Sequence, residues 1–263
     1  VNMSSSLAAA SGRQAVGGRG WGDRHFLGAY LTGGSAGTEA DDEQRGATLR
    51  IAGLPYRDGA NLIHLGASGS YVFKPNETNG GADTVRFRDR PELRVDSNRL
   101  VDTGPIDASH AYTGGVELAA VYRNLSLQGE YLRFGADRKP GQPDVDFGGW
   151  YVFGSWVLTG ESRRYNNARG AFGGVRPERP FDPAEGGWGA FELLARYSTV
   201  DLNDRDVRGG EQDVITLGLN WYLNNNIRFM FNYQYVDVDR RDATGLQIGQ
   251  DFHAISMRAQ ANW

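Results

Sequence analysis

The chain has 263 residues, a formal net charge of −4, 11% aromatic residues, 37 glycines, no cysteine and a mean hydropathy of −0.51. These values exclude disulfides and thiol chemistry and argue against binding polyanions by bulk charge. No apolar run approaches the ~20 residues of a membrane helix, yet a membrane β-barrel stays open, because its strands are only half apolar.

Residues 1–11 (VNMSSSLAAAS) carry no basic group ahead of an apolar core, so no signal peptide is visible. The first residue is not methionine, and the start of the natural protein is expected to be missing. From there to the end the dominant pattern is alternation, the signature of strands with two unlike faces. Residues 1–11 read as a strand and 17–23 as a glycine-rich turn. At 26–32, Leu27, Ala29 and Leu31 oppose Gly28, Tyr30 and Thr32, and a polar loop covers 35–44. At 46–54, Ala47, Leu49 and Ile51 oppose Thr48, Arg50 and Ala52, and PYRDG at 55–59 reads as a tight turn. At 61–74, Ile63, Leu65, Tyr71 and Phe73 oppose His64, Gly66, Ser68 and Ser70.

A long connection follows at 75–109, and connections of this length in compact domains are usually functional or disordered. It contains TVRFRDRPELR at 84–94, where Arg86, Arg88 and Arg90 fall at every second position and Arg94 follows. In an extended segment these three side chains share one edge, ~7 Å apart. Each adjacent pair then repels by ~2 kcal/mol at an effective dielectric of 20. Asp89, Glu92 and Asp96 are one candidate to offset this, a passing anion is the other, and a solvated loop of alternating charges is the plain alternative.

Alternation resumes at 116–123 and 125–131, either side of a short turn near Asn124, and 136–146 is polar. Residues 147–159 are aromatic and less regular, and 161–187 form a second long connection rich in glycine and arginine. Strands follow at 191–198, 215–222, 227–235 and 255–263, separated by an acidic loop at 201–213, an Asn turn at 224–226 and a polar loop at 240–250. The count is about eleven strands, many near the ~9–11 residues that span a membrane when tilted. Short and long connections alternate, except for 161–187. Aromatics such as Tyr71, Phe73, Tyr122, Tyr131, Tyr197, Trp221, Tyr222, Tyr233 and Tyr235 sit near strand ends, and Trp263 closes the chain. Together these features predict an all-β fold, an antiparallel transmembrane β-barrel of the outer-membrane type with its N-terminal strands missing.

The runs TGESRRYNNARGAFGGVRP at 159–177, RYSTVDLND at 196–204, GLNWYLNNNIRF at 218–229, LQGEYLRF at 127–134 and TVRFRDRPELR through VDTG at 84–104 occur in one order. In this the chain resembles the phosphate-selective porin O and P family, over the C-terminal portion of the barrel. The resemblance implies a single partial porin domain over 1–263, a homotrimer in the bacterial outer membrane, and passage of phosphate or polyphosphate by diffusion along arginine sites. It implies that 75–109 is an extracellular loop folded into the lumen, with Arg86, Arg88, Arg90 and Arg94 as anion sites. It also implies that 161–187 is a periplasmic turn folded inward, with Arg163, Arg164, Arg169, Arg176 and Arg179. The first strands and another constricting loop of the family have no counterpart here.

Parity alone places Arg50, Arg123, Arg196, Arg228 and Arg258 on the polar strand face, where they line the lumen or pair with Glu117, Glu130 and Glu192 to brace the wall. No cofactor, metal or nucleic acid is expected, since the four histidines lack zinc spacing. An enzyme would rest on His64 near Ser68 and Ser70, or His253 near Ser256, and is not the favoured reading. The alternatives are a plugged structural or adhesive barrel and a non-selective general porin.

Overall fold

The structure is a computed structural model and describes residues 13–35, 43–77, 81–92, 98–242 and 244–262. The first predicted strand, most of the 35–44 loop, Arg94, Asp96 and Trp263 lie outside the described residues. Among the described residues there are eleven long strands: β1 (Arg13–Trp21), β2 (His25–Ser35), β3 (Arg45–Asp58), β4 (Asn61–Lys74), β5 (Ile106–Tyr122), β6 (Leu125–Arg138), β7 (Val145–Val157), β8 (Ala190–Asp204), β9 (Val207–Tyr222), β10 (Ile227–Asp239) and β11 (Phe252–Ala261). They form one sheet whose spatial order follows the chain, and every neighbouring pair is antiparallel. Among the described residues, β1 and β11 each pair on one side only. There is no α-helix among the described residues, and none is long and apolar enough to cross a membrane.

The period-2 pattern sorts side chains onto two unlike faces. Leu49, Ile51, Leu65, Val116, Leu118, Leu127, Trp156, Leu217, Ile255 and Met257 stand exposed on one face. His64, Glu117, Gln128, Ser155, Glu192, Arg196, Thr216 and Gln234 stand on the other, which the two long connections cover. Polar groups thus fill part of the inward face, while Val72, Leu132, Phe134, Phe147, Val200 and Leu202 form an apolar cluster on the rest of it.

Several boundaries differ from the sequence reading. Residues 17–21 are strand, not turn; Gly17 serves close approach, since a Cβ there would lie 2.2 Å from the Ala29 carbonyl oxygen. The 55–59 turn moves to Gly59, in the left-handed region at φ 58°, and Pro55 sits in β3 beside a register shift between Gly53 and Tyr56. Most of 201–213 is strand, because Val200, Leu202, Val207 and Gln212 are buried while Asp201, Glu211 and Arg208 alternate outward. Only Arg205 and Asp206 are left to turn, with Arg205 at φ 53°. The 136–146 loop likewise shrinks to 139–144, and the less regular aromatic stretch is strand as far as Val157, within β7. Tyr222 is not in an outer aromatic belt: it is 3% exposed and its hydroxyl donates to Glu192.

Candidate functional site

The connection between β4 and β5 lies on the polar face, and its own alternation fixes how. Val85, Phe87, Asp89 and Pro91 are buried, while Arg86 and Arg88 are exposed and Arg90 is half-buried. One side of the segment anchors it and the other presents arginines. Phe87, fully buried, packs against Phe134 and Phe147 with ring centroids 5.3 and 5.4 Å away, and these belong to β6 and β7. The segment Arg88–Asp89 pairs with Val101–Asp102, and Thr103 closes the ladder by donating its N–H to the Phe87 carbonyl at 2.9 Å. Arg240, from the end of β10, donates to the Leu100 and Asp102 carbonyls at 3.2 and 3.1 Å.

The arginines are not equivalent. Arg86 donates from Nε to Asp102 Oδ1 at 2.7 Å, and a second bond to Oδ2 makes the pair bidentate. Burial would push the Asp102 carboxyl up, but the Arg86 hydrogen bonds and the Gly104 N–H outweigh it and hold the group below the usual carboxylate range. Arg88 and Arg90 instead share their surroundings with Arg99, whose guanidinium is held below its ordinary value first by burial and then by the charges of Arg90 and Arg88. Asp89 and Asp102 act on Arg99 in the opposite sense, so the protein itself offsets part of this charge.

At the far end of the segment, Glu92 reaches the wall. Its Oε1 lies 2.7 Å from Arg196 Nε and accepts from Ser198 Oγ at 3.1 Å, and its Oε2 accepts from Thr216 Oγ1 at 2.9 Å.

The second long connection, between β7 and β8, also lies against the polar face. Tyr165–Asn166 pairs with Ala171–Phe172 around a one-turn 3-10 helix, Asn167–Arg169. Tyr165 and Phe172 pack on Leu54, Leu62 and Val121. Arg50 pins this connection, donating to the Arg169 and Gly170 carbonyls at 2.9 and 2.7 Å while also bonding Glu117 Oε1. Gly170 is needed there: its φ is 56°, and a Cβ would come 2.8 Å from Phe26. Arg163 donates from Nε to Glu192 Oε1 at 2.7 Å; the Glu192 side chain is fully buried and also accepts from Asn220 and Tyr222 at 2.9 and 2.8 Å.

The family model of the phosphate-selective porin O and P family matches residues 5–263. The chain belongs to that family. It is 32% identical over 229 residues to an uncharacterised protein of Caulobacter vibrioides, covering 86% of this chain and 44% of the relative. It is 26% identical over 247 residues to Porin O of Pseudomonas aeruginosa, covering 81% of this chain and 53% of that protein. The chain thus spans about half the length of these curated relatives.

Within this family member, the arginines found by sequence divide by what they touch. Arg50, Arg163 and Arg196 line the polar face and are each held by a carboxylate. Arg228 is on that face too, donating to Gln260 at 3.1 and 2.8 Å, and Arg258 shares its parity on β11. Arg164 is exposed on the inward connection. Arg123 is not on the strand face: it sits in the β5–β6 turn at φ 53°, its guanidinium 5.3 Å from the Tyr122 ring.

His64 faces Tyr165 at 2.9 Å and Glu117 at 3.4 Å, so its ring nitrogens meet a phenol and a carboxylate. Arg99 and Arg240 are not singled out by the sequence: Arg99 has no arginine beside it, and Arg240 lies with Arg241 in a stretch that reads as a polar loop. Glu92 was considered only as a counter-charge to the row, although it is the residue that ties the row to the wall.

Proposed function

We propose that this protein forms an anion-selective channel of the bacterial outer membrane, assembled as a homotrimer, that passes phosphate-type anions by diffusion along arginine sites. The observation that carries this reading is the split within 84–92: one side is buried in the wall and the other presents arginines over its polar face. The opposite face of the same sheet is apolar and exposed, as contact with outer-membrane lipid requires. In this reading the connection expected at 75–109 enters the lumen from the extracellular side and the one expected at 161–187 from the periplasmic side.

Arginine suits the task because its charge is permanent and its fork meets two oxygens of one phosphate. Weak sites in series pass an ion on where a single deep site would trap it. Arg88 and Arg99 form the main step, with Arg90 beside them and Asp89 and Asp102 moderating the charge, while Arg86 is held by Asp102. The test is single-channel conductance in a planar bilayer, in chloride with phosphate titrated in. The expected result is anion selectivity and block of the chloride current by low phosphate. Arg88→Ala and Arg90→Ala are expected to weaken that block several-fold more than Arg86→Ala. Conductance without anion preference would assign the arginines to bracing the wall and favour a general porin; no conductance would favour a plugged barrel.

A further inference from the structure

The surroundings of Glu92 make a site that is complete without Glu92. Arg196 and Thr216 are direct cross-strand partners on β8 and β9, and Ser198 lies two residues along β8 on the same face. Ser198 and Thr216 are 5% and 4% exposed. The Arg196 guanidinium lies 4.1 Å from the Tyr151 ring centroid on β7, which fixes its plane. Gln234 donates to Thr216 Oγ1 at 3.4 Å, which leaves the Thr216 hydroxyl hydrogen for an acceptor in the lumen.

One guanidinium charge and two hydroxyl donors therefore meet from rigid strands at a single spot. Both oxygens of a carboxylate occupy it, and that carboxylate belongs to another segment of the chain. A brace between loop and wall needs only the ion pair. A cation with two buried hydroxyl donors beside it is what an oxyanion site requires.

We infer that Arg196, Ser198 and Thr216 form a binding site for a tetrahedral oxyanion, and that Glu92 is its tethered occupant, which an incoming phosphate must displace. The loop that carries the arginine row is then held closed by a group that competes with the ion in transit. Phosphate bound at this site exchanges its own charge for that of Glu92, so no uncompensated charge is left on the wall, and the displaced carboxylate returns when the ion leaves. The inference rests on the anion-channel reading for its physiological ligand.

A tethered competitor weakens the apparent affinity by the fraction of time the site is vacant. If Glu92 occupies it about nine-tenths of the time, removing the competitor strengthens binding roughly tenfold. The experiment measures inorganic phosphate on the purified protein by calorimetry, and by block of chloride current, for the wild type, Glu92→Gln, Glu92→Ala, and each variant combined with Arg196→Gln. The expected result is phosphate binding roughly tenfold tighter in both Glu92 variants, with the gain abolished by Arg196→Gln. A structural brace moves the opposite way: its loss loosens the arginine loop and weakens phosphate binding. Phosphate affinity in both Glu92 variants equal to or weaker than wild type would overturn the inference. Glu92→Gln keeps the shape of the side chain, so it decides the matter if Glu92→Ala disturbs the loop. A wild-type protein with no anion preference in the bilayer would sink the channel reading, and a calorimetric gain in Glu92→Gln would still support the site.

Discussion

Glu192 is fully buried, and its charge is tolerated because Arg163, Asn220 and Tyr222 all donate to it. Breaking a buried pair from one side is costly because it strands the other charge. Arg163→Met is therefore expected to destabilise the protein by about 3 kcal/mol, read as a fall in the urea midpoint of unfolding. Arg164→Met, one residue away and exposed, is expected to leave that midpoint unchanged. The two arginines were equal candidates in the sequence, since nothing in SRRY says which one turns to the wall.

Asp102 gives the corresponding pH effect. Its carboxyl is held below the ordinary value, so the stability it contributes is present above that value and is lost as pH falls through the depressed one. Only below that depressed value, under about pH 4, is Arg86 expected to lose its partner and the chain around it to become open to proteolysis. Asp102→Asn should already show that susceptibility at neutral pH and lose most of the change on acidification.

The arginine segment is held as an element by apolar packing, and its charges point away from what holds it. Phe87 touches both Phe134 and Phe147 and is fully buried, so Phe87→Ala removes its main anchor, at a cost of about 3 kcal/mol. Phosphate block of the current is expected to weaken along with stability, although no charge has changed. The arginine spacing was legible in the sequence because alternation alone puts Arg86, Arg88 and Arg90 on one edge. The anchor was less legible, because its partners Phe134 and Phe147 lie 47 and 60 residues further on.

The same contrast explains the misread hairpin between β8 and β9. Beyond the apolar band its outward positions turn acidic, so VDLND looks like a loop although Val200 and Leu202 still alternate inward. Asp201 and Asp239 both lie opposite Glu211, and Asp213 lies opposite Asp237. Like charges in cross-strand register are destabilising. Glu211→Gln is therefore expected to raise the thermal midpoint in low salt, and the gain should shrink at 1 M salt, where the screening length is ~3 Å.

For the molecule as a whole, the deciding question is which solvent the apolar face meets. Leu118 and Leu125 both stand on that face, 56% and 49% exposed. Leu118 lies four residues from the β5–β6 turn and Leu125 lies directly after it. An apolar face in water exposes both equally, and an arginine at either position would then cost little. A face in lipid has depth: an arginine costs ~2–4 kcal/mol near the midplane and ~0–1 near the interface. Leu118→Arg is thus expected to lower the stability of the protein folded into vesicles by about 3 kcal/mol, and Leu125→Arg by less than about 1 kcal/mol.

Ser68→Arg supplies the control for the opposite face. Ser68 lines a depression of about 420 Å³ with Arg19, Arg50 and Glu130 and lies directly opposite Arg50, so a further guanidinium there has room but meets like charge as well as Glu130. It is expected to cost less than about 1 kcal/mol, well below Leu118→Arg. Equal, small effects at Leu118 and Leu125 would mean that the apolar face is covered by protein or water rather than lipid. The channel reading would then fail at its foundation, whatever anions the arginine segment binds, because a pore requires the outward face to be the one that lipid touches.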